Sequence, residues 1–205
     1  SDWSSTMSTP AEAIETAQRF RESGKAHFLA GDYRKALGDY HSIFMYVHGF
    51  SMKSSSADLF SAMGGSDSET KNVTPEQAAQ IRELKVVHFS NVSLCHLKLG
   101  NLAKCIDYCT KAIEVDPDNV KCLFRRGKCY LDVGKVDLAS DDLHRANKLD
   151  GGNREIIHEL KRVKAHNAAH ARKEAKLFSR VFEQMKDDDE AALATDAPAA
   201  ATGEQ

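Results

Sequence analysis

"GNLAKCIDYCTKAIEVDPDNVKCLFRRGKCYLDVG" runs from Gly100 to Gly134, and its two end glycines are 34 residues apart. Between them lie two apolar-periodic segments, Leu102 to Val115 and Val120 to Val133. They are separated by Asp116-Pro117-Asp118-Asn119, a run of turn-forming residues. In the second segment Val120, Leu123, Phe124, Gly127 and Tyr130 recur at three or four, the spacing of one helix face. Lys121, Arg125 and Lys128 share that spacing, so the same helix stacks cation above cation. Like charges one turn apart are mildly destabilising in isolation, which points to an anionic partner.

Helical patterning extends outward in both directions. Lys135 to Leu149 is a further helix, and after Asp-Gly-Gly-Asn a long pattern runs from about Arg154 to Met185. Upstream, Thr74 and Gln77 have capping-box spacing with Pro75 at the first helical position, and that helix runs to Leu99. Thr9-Pro10 opens another over Ala11 to Ala30, stopped at Gly31, and its partner follows from Tyr33 to near Gly49. The expected organisation is a polar leader or tag remnant over 1–10, one domain over 11–186 and a tail over 187–205. The domain holds a Ser/Gly-rich, poorly ordered insert at 51–73 and a closing helix at 154–186. The tail, with six acids, no base and many alanines, is expected to be disordered.

Composition narrows the function classes. With 205 residues, 41% hydrophobic and 28% charged residues and a net charge of −2, the chain has the profile of a soluble domain and is not a bulk polyanion binder. No apolar run approaches a membrane span, so no membrane contact is expected. Nucleic-acid binding would need a broad basic surface with interleaved aromatics, and neither is present. Five cysteines, an odd number set inside helical patterns, fit reduced thiols in a cytoplasmic protein. Cys105 and Cys109 are four apart without a second ligand pair, so small core side chains are the better account than a metal. No nucleophile, base and orienting group form a set, so neither enzyme activity nor a cofactor is expected.

A 34-residue period is that of the tetratricopeptide repeat. Its small, aromatic and alanine positions recur in register: Gly24, Gly31, Tyr33, Ala36 and Tyr40; Ser93, Gly100, Cys105, Ala112 and Pro117; Gly127, Tyr130, Gly134, Ala139 and Ala146. Small residues let paired helices approach closely, and aromatics fill the groove beside them. The expected fold is all-α: three helix-turn-helix repeats in a right-handed superhelix, plus a long C-terminal capping helix. First helices line the concave wall of such a stack, here with Arg21, Lys25, Asn91, Lys121 and Arg125.

The chain resembles the three-repeat domains of heat shock protein 90 co-chaperones, above all the large FK506-binding immunophilins and the tetratricopeptide repeat protein 9 family. "ESGKAHFLAGDYRKALGDYHS", "TPEQAAQIRELKVVHFSNVSLCHLKLGN", "DPDNVKCLFRRGKCYLDVGK" and "RKEAKLFSRVFEQM" carry the likeness. The resemblance implies a non-catalytic adaptor that grips the acidic Glu-Glu-Val-Asp end of heat shock protein 90 or its 70-kDa counterpart in a carboxylate clamp. Arg21, Asn91, Lys121 and Arg125 match clamp positions, and Lys25 stands where the family usually has Asn. Arg126, about 100° of helix from Arg125, is expected to point elsewhere.

Leu177, Phe178, Val181, Phe182 and Met185 form a stripe on a basic helix of the type that binds calmodulin, and the matching immunophilin segment is associated with it. The competing account makes that helix a cap over the last repeat. The nine histidines, including His166 and His170 on one face without a carboxylate-rich partner, read as exposed helical residues. A rival function is a scaffold whose concave face binds an internal segment of a cytoskeletal or ciliary partner.

Overall fold

A computed structural model describes residues 9–48, 50 and 73–195, with side chains through 186. Seven α-helices are present among them: α1 (Pro10–Leu29), α2 (Tyr33–Val47), α3 (Pro75–Lys98), α4 (Leu102–Val115), α5 (Val120–Asp132), α6 (Val136–Leu149) and α7 (Arg154–Thr195). Two compact units divide after Leu160. In the first, α1 packs with α2, α3 with α4 and α5 with α6, and successive pairs stack into an all-α superhelix of tetratricopeptide type. The leader to residue 8, the insert at 51–72 and the tail from 196 lie outside the described residues.

The helix boundaries follow from local chemistry. Both long first helices start with capping boxes: Thr9 with Glu12, and Thr74 with Gln77, each with Pro at the first turn. Pairs turn at Gly31, Gly100 and Gly134, whose φ values of 82°, 75° and 80° are left-handed and disfavour any Cβ. Asn119 accepts the Cys122 amide at 3.1 Å and caps α5.

Close packing explains the repeating small residues. A Cβ on Gly24 would lie 2.6 Å from a ring carbon of Tyr40, and one on Gly127 would lie 2.8 Å from Leu143 Cγ. Any side chain there forces a helix pair apart, at about 1–3 kcal/mol. Ala36, Cys105 and Ala139, the equivalent small residues of the three second helices, are fully buried. All five cysteines are buried and unbridged, and burial raises the Cys95 thiol to about 11. Among the described residues no group of three or more His, Cys, Asp or Glu is arranged to hold a metal.

Three expectations need correction. His88 and His96 are not exposed helical residues: they are buried on the face of α3 that packs inward. His88 Nδ1 meets the Tyr40 carbonyl at 2.7 Å, and because a carbonyl only accepts, Nδ1 carries the proton. His170 also has a carboxylate partner, Glu174, at 3.4 Å. Finally, α7 continues to Thr195, beyond the expected end at Met185, because residues 187–195 are Asp, Glu, Ala, Leu and Thr with no Gly or Pro to stop them.

The start of α7 belongs to the core of the first unit. Ile156 is fully buried in the cluster that includes Cys122, Leu123, Cys129 and Ala146, and Leu160 packs beside it. In the second unit, residues 164–186 are exposed throughout. Leu177, Phe178, Val181, Phe182 and Met185 keep 49–71% of their surface accessible.

Candidate functional site

Each of the five residues singled out for peptide binding lies on a first helix: Arg21 and Lys25 on α1, Asn91 on α3, Lys121 and Arg125 on α5. These helices are neighbours, since α3 touches both α1 and α5. One turn of helix, about 6 Å, separates Arg21 from Lys25 and Lys121 from Arg125. The periodicity of each helix buries Ala17 and Gly24, Val92 and Ser93, or Cys122 and Leu123, and so turns the five residues away from the core.

Arg125 is the most constrained of the five. Its Nη1 donates to the Ser90 carbonyl at 2.9 Å, to Ser90 Oγ at 3.2 Å and to Ser93 Oγ at 3.1 Å. Ser90 and Ser93 flank Asn91, so the third repeat's guanidinium is tied to the helix segment that carries the amide. Arg21 lies 3.6 Å from Glu83, an exposed pair contributing at most about 1 kcal/mol. Lys25 and Lys121 are exposed.

Lys121, Arg125 and Lys128 line a cleft of about 470 Å³, to which Arg21, Lys25 and Asn91 do not contribute. Phe124 and Leu97 supply apolar surface, and the carboxylate residues Asp150 and Glu155 also line it. The cations stacked along α5 therefore face an open cleft. An extended chain carrying carboxylates has there both charged donors and an apolar floor.

Arg126 points away from that cleft, as its helical phase requires, but it is no idle surface residue. Its Nε and Nη2 donate to the two Asp142 carboxylate oxygens at 2.7 and 2.8 Å, and Nη1 donates to Thr110 at 3.0 Å. The fork bridges α5, α6 and α4, with side chains only 17% and 9% exposed. The available signal was Asp142 itself, a carboxylate on the apolar face formed by Val136, Ala139, Leu143 and Ala146. Ser90 and Ser93 were also missed as polar participants, Ser93 having an adequate explanation as a small packing residue.

Comparison with known proteins agrees with this architecture. The tetratricopeptide repeat family models match residues 94–119 and 108–139. Mouse peptidyl-prolyl cis-trans isomerase FKBP4 is 28% identical over 179 residues, which cover 87% of this chain and 35% of that protein. The chain thus spans about a third of the length of the curated relatives it matches first. The C-terminal tetratricopeptide domain of a Plasmodium falciparum FK506-binding protein superposes with a TM-score of 0.61 at 20% identity, covering 80% of this chain and 96% of that one. The first such domain of Spaghetti (RPAP3), solved with the HSP90 peptide SRMEEVD, gives 0.54 at 20% identity, covering 76% and 95%. Helix pairing and the matched repeats show tetratricopeptide repeats in this chain, which is similar to FKBP4 over most of its own length.

Proposed function

We propose that the groove binds the acidic C-terminal peptide of heat shock protein 90 or its 70-kDa counterpart, making the chain a non-catalytic, cytoplasmic co-chaperone adaptor. The observation that supports this reading is the placement of the five residues on neighbouring first helices, Arg125 being tied to Asn91's own helix. Lys121 and Arg125 pair with acidic side chains, while Arg21, Lys25 and Asn91 take the terminal carboxylate. Lys25, in place of the usual Asn, adds a charge at the terminal end. The RPAP3 complex with SRMEEVD supports an acidic peptide as ligand on this fold. Five buried free thiols support a reducing compartment.

Titration with SRMEEVD as the free acid and as the C-terminal amide tests the clamp. Each charge-assisted hydrogen bond contributes about 1.5–3 kcal/mol. Lys121→Ala or Arg125→Ala should therefore weaken micromolar binding at least about tenfold. Equal binding of acid and amide would refute the clamp and favour the scaffold reading, in which an internal segment of a cytoskeletal or ciliary partner fills the groove. The exposed stripe from Leu177 to Met185, on a basic helix, favours calmodulin as a second ligand. A calcium-dependent complex lost on deleting residues from 177 onward tests that assignment.

A further inference from the structure

We propose that Ser90 and Ser93 are positioning residues that hold the Arg125 guanidinium in its ligand-ready pose, an inference that rests on the clamp reading. Both serines are buried, Ser93 completely. A packing role alone does not explain two hydroxyls converging on one nitrogen of a cation. Ser93 Oγ donates to the Ser90 carbonyl at 2.7 Å, which leaves its lone pairs free to accept from Arg125 Nη1 at 3.1 Å. Ser90 contributes its carbonyl and its hydroxyl, at 2.9 and 3.2 Å. Three acceptors thus share the two hydrogens of Nη1, and none of the hydrogen bonds among the described residues engages Nε or Nη2.

One edge of the guanidinium is therefore fixed to α3, and the opposite edge remains for a carboxylate. An arginine held at one edge has already lost most of its rotamer freedom before the ligand arrives, so binding need not immobilise it. The anchor also sets the spacing across repeats. The serines stand one residue before and two residues after Asn91, so the amide and the guanidinium move as one unit.

The test is SRMEEVD binding to Ser90→Ala, Ser93→Ala and the double variant, with unfolding midpoints measured in parallel. The double variant should bind roughly three- to tenfold more weakly, the cost of immobilising one long side chain at binding. In an Arg125→Ala background the same serine substitutions should change affinity less than about twofold, because they act through the arginine. Ser90→Thr, which keeps the hydroxyl, should bind like wild type. A second readout needs no ligand: NMR of the Arg125 guanidinium should show slow rotation in wild type and faster rotation in the double variant. Unchanged affinity, equal losses in the Arg125→Ala background, or unchanged rotation would each overturn the positioning role. If wild type fails to bind while the rotation differs as expected, the clamp reading falls and the anchor stands.

Discussion

In the folded protein Asp142 receives two hydrogen bonds from Arg126, so Arg126→Ala leaves a nearly buried carboxylate without its cation. Breaking a buried, hydrogen-bonded pair by removing one partner costs about 3–5 kcal/mol. The side chains keep 17% and 9% exposure, which places the loss near the lower end, about 3 kcal/mol. With a urea slope of about 2 kcal/mol per M, the unfolding midpoint should drop by roughly 1.5 M at unchanged slope. The double substitution Arg126→Met, Asp142→Leu removes both charges and should recover most of that loss, since apolar side chains of similar size replace such pairs at little cost. Affinity of the folded variant for an acidic peptide should stay within about twofold of wild type, because Arg126 faces α6 rather than the cleft. A midpoint shift worth less than about 1 kcal/mol would reduce the pair to an ordinary surface contact. A loss of affinity larger than that of Arg125→Ala would mean that the two arginines have been assigned to the wrong faces.

Burial holds the His88 imidazole down at about 4, against the opposing hydrogen bond to the Tyr40 carbonyl, whereas the unfolded chain titrates near 6.5. Between those values only the unfolded state takes up the proton, so stability is intact above pH 6.5 and falls toward pH 4 by on the order of 3 kcal/mol. Urea midpoints measured from pH 7 to 4.5 should show this slope, and His88→Gln should flatten it; an unaltered slope in the variant would rule out His88 as its source. Glu83→Gln releases Arg21 from its exposed ion pair and should tighten acidic-peptide binding up to about fivefold at low salt. Weaker binding in that variant would show Glu83 to be a contributor to the groove rather than a competitor within it.

The 34-residue spacing made the helix pairs legible because it constrains two kinds of residue at once. Gly100 and Gly134 mark turns with positive φ, while Gly127, Cys105 and Ala139 mark close contacts. Helical phase likewise separated Arg125 from Arg126. What helical phase cannot supply is the identity of a partner on another helix. Arg126 meets Asp142 sixteen residues away, and Arg125 meets Ser90 and Ser93 across more than thirty. The buried histidines escaped notice for a related reason. His88 continues the inward face of Leu84, Val92 and Cys95, but its place there depends on a carbonyl from α2, forty-eight residues earlier.

The spacing between the first and second repeats has a consequence for the two ends of the groove. The second and third repeats are joined by four residues between Val115 and Val120, whereas 27 separate Val47 from Pro75. The chain therefore joins the second and third repeats over a far shorter path than it joins the first to the second. Arg21 and Lys25 ride on the first repeat, while Asn91, Lys121 and Arg125 ride on the closely joined pair. On the proposed clamp, a ligand spanning both ends would act as a second, non-covalent connection across the same junction. Its binding free energy then appears as protection of the first repeat's amides against solvent exchange, largest in α1 and α2 and smallest in α6.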